Sequence, residues 1–146
     1  MTKLPKVVLD TNVLISALIF GGKPKKILIN SKEKKVKAFI SAPILLELAK
    51  KLDSKFSWKE ERIKETVGIL PKFMTVIYPA ARLNLVKKDP SDNKILECAF
   101  EAKANYIVTG DKHLLEIKEF EGVKIYPSYS SLKLSCAVYD PPKSYF

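Results

Sequence analysis

The stretch Lys6-Val7-Val8-Leu9-Asp10-Thr11-Asn12-Val13 constrains the chain more than any other. Three apolar residues rich in β-branched types run straight into an acid and two small polar residues. Val13, Leu14, Ala17 and Leu18 then recur at helical spacing. This pattern predicts a strand, a turn and a helix. A strand with no polar face belongs in a parallel sheet covered on both sides, and the crevice outside the carboxyl ends of such strands takes the ligand. Asp10 is expected at that end. Asp, Thr and Asn also cap helices by accepting first-turn N–H groups, so a single acid here carries no chemistry by itself.

Further along, the same architecture repeats. Gly21-Gly22 and Pro24 predict a turn before a short basic helix over Lys25 to Lys35, and Val36 to Ser41 predicts a second strand with Val36, Ala38 and Ile40 on one face. Ser41 is the expected N-cap of a helix to about Leu52, with Pro43 in its first turn, a stripe of Ile44, Leu45, Leu48 and Leu52, and Glu47 beside that stripe. Ser57-Trp58-Lys59-Glu60 has the spacing of a capping box, and Pro71 stops the helix that follows. Phe73 to Tyr78 reads as a third strand and Ala80 to Lys88 as irregular. Pro90 and Ser91 open a helix with Ile95, Leu96, Ala99 and Ala102 inward and Asp92 in its first turn, where Asp89 or Ser91 can serve as cap. Tyr106 to Thr109 is a short buried strand ending in Gly110-Asp111, with a helix over Leu114 to Lys118. Val123 to Tyr126 reads as a last strand, and a short helix is expected from Pro127-Ser128 to Leu134.

Alternating strands and helices predict an α/β class, an α/β/α sandwich with a mainly parallel central sheet. The 146 residues are expected to form one domain with a core over about 6–134 and a C-terminal tail over 135–146. Asp10, Glu47, Asp92 and Asp111 then border one edge of that sheet. Two carboxylates about 4 Å apart repel by roughly 4 kcal/mol at an effective dielectric of about 20, so such a group is protonated or neutralised by a cation. Oxygen ligands without accompanying His or Cys select Mg²⁺ or Mn²⁺. The net charge of +10, from 26 basic and 16 acidic residues, suits a polyanionic partner such as nucleic acid. A metal-activated water attacking a phosphodiester unites the two observations.

These residues resemble the PIN-domain ribonucleases, particularly the toxin-like members of prokaryotic toxin–antitoxin systems. The likeness is carried by Val8-Leu9-Asp10-Thr11-Asn12-Val13-Leu14, Ser41-Ala42-Pro43-Ile44-Leu45-Leu46-Glu47-Leu48, Asp89-Pro90-Ser91-Asp92-Asn93-Lys94-Ile95-Leu96 and Ile107-Val108-Thr109-Gly110-Asp111-Lys112-His113-Leu114, in this order over about Val7 to Pro127. The resemblance implies a divalent-metal-dependent endoribonuclease with Asp10, Glu47, Asp92 and Asp111 at the metal site. It makes Thr11, Asn12 and Thr109 supporting hydrogen bonders, and leaves Asp89 either a supporting group or a helix cap. It also implies an RNA substrate, a homodimer and a protein antitoxin.

Other readings are narrower. Phosphotransfer domains of the phosphatase type carry a second Asp two residues after the first, where this chain has Asn12. A PIN-like module that binds RNA or protein without turnover is the remaining alternative. His113 has no nucleophilic serine or second histidine beside it and is expected to be structural, as is Trp58. Gly21-Gly22 is not followed by Lys-Ser or Lys-Thr and is no phosphate loop. Cys98 and Cys136 have no metal-type spacing and are expected as thiols. With no apolar run of about 18 residues, no membrane span is expected and the chain reads as cytoplasmic.

Overall fold

Among the described residues, five parallel strands and one short antiparallel strand form a single sheet in the order β3-β2-β1-β4-β6-β5. The structure, a computed structural model, describes residues 4–80 and 91–127. The elements are β1 (Lys6–Leu9), α1 (Thr11–Ile19), α2 (Gly22–Lys32), β2 (Lys37–Ser41), α3 (Ala42–Ser54), α4 (Glu60–Ile69), β3 (Thr75–Ile77), α5 (Ser91–Ala102), β4 (Tyr106–Thr109), α6 (Lys112–Ile117), β5 (Glu119–Phe120) and β6 (Val123–Pro127). This is the expected α/β architecture with a mainly parallel sheet.

The connections β1 to β2 to β3 and β3 to β4 to β6 travel in opposite directions along the sheet, so right-handed crossovers cover both faces. That explains why the central strands have no polar side: Val7, Val8, Leu9, Ala38, Phe39, Ile40, Ile107 and Val108 are all buried. The alternation expected in β2 is therefore not a difference in exposure, since Phe39 and Ser41 are as buried as Ala38 and Ile40. Ile44, Leu48 and Leu52 of α3 and Ile95, Leu96 and Ala99 of α5 complete the core, as their spacing predicts. Cys98 joins them, its thiol pushed up to about 12 by burial against the opposing hydrogen bond of Ser41, so it is chemically quiet.

Several boundaries differ from expectation for local reasons. α2 starts at Gly22, earlier than predicted, because Gly21 and Gly22 at φ +73° and +66° turn the chain and Pro24 is tolerated in the first turn. The capping box at Ser57 does not form: Ser57 takes φ +53°, Trp58 N–H donates to the Leu52 carbonyl, and α4 begins only at Glu60. Trp58 instead packs on the core under the Arg62 guanidinium, 3.7 Å from its ring centre. β3 is shorter than predicted and forms one end of the sheet beside β2. α6 begins at Lys112 because Asp111 caps it. β5 was not expected; it folds back against β6 over two residues. Pro127 ends β6, and the rest of the predicted C-terminal helix, the segment 81–88, the tail 135–146 and Cys136 lie outside the described residues.

Candidate active site

β1 and β4 are neighbours whose onward connections leave in opposite directions, so the gap beyond their carboxyl ends is the topological switch point of the sheet. Asp10 follows β1 directly, its N–H donating to the Val108 carbonyl at 3.0 Å. Thr109 is the last residue of β4, and Asp111 follows one glycine later. The two strand ends are joined through Thr109, whose Oγ1 donates to Asp10 Oδ2 at 2.5 Å and accepts from the Asp111 N–H at 2.9 Å. Asp111 Oδ1 in turn accepts the His113 N–H at 2.7 Å and caps α6.

A second link runs from α1 to α3. Thr11 Oγ1, in the first turn of α1, donates to Glu47 Oε2 at 2.5 Å, although 36 residues separate them. α3 can present Glu47 there because Ser41 ends β2 and its Oγ accepts the Ile44 N–H at 3.3 Å, fixing the entry of the helix. Asp92 is buried in the first turn of α5. The three-residue connection from α5 to β4 puts the amino end of α5 at the carboxyl edge of the sheet, and Cys98 meets Ser41 six residues, or about 9 Å, further along the helix. Asp10, Thr109 and Asp111 are thus linked by hydrogen bonds in one network, Thr11 and Glu47 form a separate pair that starts at the residue next to Asp10, and Asp92 shares their edge. Asp89 lies outside the described residues. His113 contributes its backbone N–H to the network, consistent with a structural role.

Burial decides the electrostatics. Asp10 is 6% exposed, and burial raises its carboxyl above the usual carboxylate range; the Thr109 hydroxyl, the Asn12 backbone N–H and Lys51 oppose the rise, and the charge of Asp111 adds to it. Lys51 is a member of the site that sequence reasoning missed. Its Nζ donates to Asn12 Oδ1 at 3.3 Å. The signal was available, because Glu47 and Lys51 are four residues apart on one helix and share a face. Lys51→Met is expected to lower stability near pH 7 by at most about 1 kcal/mol, given its partial exposure, with the difference smaller where Asp10 is protonated and only the bond to Asn12 is lost. Urea denaturation near neutrality and near pH 3 checks this.

The donor chemistry of this edge, carboxylates and threonine hydroxyls without cysteine, fits a hard divalent cation. A buried acid with a second acid in its field is also the arrangement that a cation relieves. As the side chains stand, no three His, Cys, Asp or Glu residues among those described are gathered as a ligand set. Glu47 and Asp111 each have one oxygen committed, to Thr11 and to the α6 cap.

Comparison with known proteins follows this geometry. Solved chains of similar fold include VapBC2 from Rickettsia felis bound to a DNA fragment from its promoter, at TM-score 0.61, 18% identity and coverage of 84% of this chain and 98% of that one. DNA-bound VapBC from Salmonella typhimurium matches at TM-score 0.58 and 20% identity, covering 86% and 99%. At these identities the likeness is one of fold. An uncharacterized protein of Methanocaldococcus jannaschii is 40% identical over 119 residues, which is 78% of this chain and 76% of the relative. Residues 6–113, from the first residue of β1 to the capping turn of α6, match the PIN domain, and the chain belongs to the PIN domain family.

Proposed function

We propose that this protein is a divalent-metal-dependent endoribonuclease with Asp10, Glu47, Asp92 and Asp111 as its acidic site, and that it is the toxin of a toxin–antitoxin pair. The observation that carries the reading is the placement of Asp10: a buried, charge-crowded carboxylate at the switch point of a PIN domain, tied by one threonine hydroxyl to the loop of Asp111. Mg²⁺ or Mn²⁺ held by the acids would lower the pKa of a water and stabilise charge developing on a phosphate. The protein's own groups do the positioning. Thr109 holds the Asp10 carboxylate in one orientation, Thr11 does the same for Glu47, and Lys51 supplies a positive charge beside Asn12 at the mouth of the site. The toxin assignment and an antitoxin partner are supported by the fold shared with VapBC assemblies, and the proposal extends to a homodimer and a cytoplasmic location. No described helix is long and apolar enough to cross a membrane.

The test is cleavage of labelled total RNA by purified protein with Mn²⁺ or Mg²⁺, then with chelator. Cleavage that requires the ion is expected. The committed oxygens of Glu47 and Asp111 favour one other reading, a PIN-like module that binds without turnover, and intact RNA in every arm at micromolar protein would establish that reading instead.

A further inference from the structure

A group of lysines lies at the opposite end of the strands from Asp10. The acids named above stand at the carboxyl edge, and lysines gather on one part of the amino edge: Lys6 and Lys37 face each other in register at the starts of β1 and β2. A cleft of about 380 Å³ opens on this edge, between the turn joining α2 to β2 and the 3₁₀ turn before β3. Lys32, Lys34, Lys37, Lys72, Phe73 and Thr75 line it, and among the described residues lining it none is acidic. All four lysines are exposed. The acid next to them in sequence, Glu33, lies 3.9 Å from Lys35.

The cleft is also built rather than merely charged. Lys34 holds φ +63°, a left-handed conformation that costs a lysine of order 1 kcal/mol or more and turns the chain sharply out of α2. Lys35 N–H donates to the Asn30 carbonyl at 2.8 Å, and Ala38 N–H donates to Ser31 Oγ at 3.0 Å, pinning that turn to β2. Lys32 Nζ sits 5.3 Å from the centre of the Phe73 ring and Lys37 Nζ 5.4 Å from that of Phe39, which limits where each ammonium group roams. The length of β1, about 13 Å, separates this edge from Asp10. These lysines therefore do not hold the same phosphate as the acids of their own chain.

We propose that this cleft is a second, metal-independent site that grips the phosphate backbone of single-stranded RNA away from the acidic site. The choice of polymer rests on the nuclease reading above; the presence of a polyanion site does not. Four lysines neutralising about four phosphates of a single strand give a salt slope of roughly −3, or about 50-fold weaker binding between 50 and 200 mM salt.

The test is binding of a fluorescent oligouridylate of about a dozen nucleotides to the full chain in chelator. The parent is compared with a variant carrying Gln at Lys32, Lys34, Lys37 and Lys72. A control carries Gln at the exposed Lys50, Lys55, Lys59 and Lys64, which removes the same net charge elsewhere. The cleft variant is expected to lose affinity at least tenfold at low salt and most of its salt slope, while the control keeps both to within about threefold. Equal losses in the two variants, or none in the cleft variant, would overturn the proposal, and so would tighter cleft-dependent binding of polyglutamate, which would mark an acidic protein as the occupant. Because no step requires cleavage, a parent that binds RNA here but never cuts it sinks the nuclease reading and leaves this site standing.

Discussion

Asp10→Asn is expected to reduce ion-dependent RNA cleavage by about three orders of magnitude or more, the loss of about 4 kcal/mol of transition-state stabilisation at roughly 1.4 kcal/mol per tenfold. The amide keeps the shape of the carboxylate and can still accept the Thr109 hydroxyl, but it carries no charge to hold a cation. Stability should move the other way. Burial and Asp111 raise the folded-state pKa of Asp10, so the native protein binds that proton more tightly than the unfolded chain does. Between the ordinary carboxylate pKa of about 3.9 and the raised value, the stability of the parent falls as pH rises. The amide has no such proton, so in chelator the variant should match the parent in acid and exceed it near neutrality. Urea titrations across pH 3 to 7 read this directly. A folded variant with full ion-dependent cleavage would make Asp10 only the residue preceding α1, where Asn serves as well as Asp.

The second large effect is expected at Thr109, which is fully buried and serves both strand ends at once. Thr109→Val fills the same volume without the hydroxyl. It strips a charge-assisted bond from Asp10 and the acceptor from the Asp111 N–H, for a loss of roughly 2–4 kcal/mol near neutrality. Removing the hydroxyl also takes away the strongest of the groups that oppose the rise in the Asp10 pKa, so the deficit should shrink where Asp10 is protonated. Thr109→Ser restores the oxygen and should recover most of the stability and the activity. A valine variant within about 0.5 kcal/mol of the parent at neutral pH would show that the hydroxyl is not a strut between β1 and β4.

The parts of this arrangement that were legible in the chain are those written in neighbouring residues. A β-branched apolar run followed by Asp10 declares a buried strand and its end within seven positions, and Ser41 with Pro43 declares the start of α3 within three. Asp111 carries the same strand-end signal, although its work in capping α6 is not legible there, because a cap and a ligand ask for the same residue at the same place. The pairing of Thr11 with Glu47 was hidden, since it depends on how two helices 36 residues apart approach each other. Ser57 misled because the capping-box pattern presumes an extended residue at the cap, and the chain leaves α3 through a left-handed turn there. β5 escaped because two residues bounded by a turn are too few for any period to register.

Both ends of the sheet are closed by very short strands: β3 has three residues and β5 two, the latter beginning with an exposed glutamate. Among the described residues, the outer backbone groups of these strands offer an incoming strand only a few rungs to pair with, and a charged residue guards one of them. Growth of the sheet by pairing in trans, whether into a domain-swapped pair or an aggregate, is thereby disfavoured. Large apolar groups stand exposed instead on helices, at Leu46 of α3, Ile69 of α4 and Phe100 of α5, and in the connections at Phe20 and Tyr78. Among the described residues, a second chain therefore finds side chains rather than strand backbone to pack on, a mode that can be exchanged without disturbing the strand ends where the acids stand.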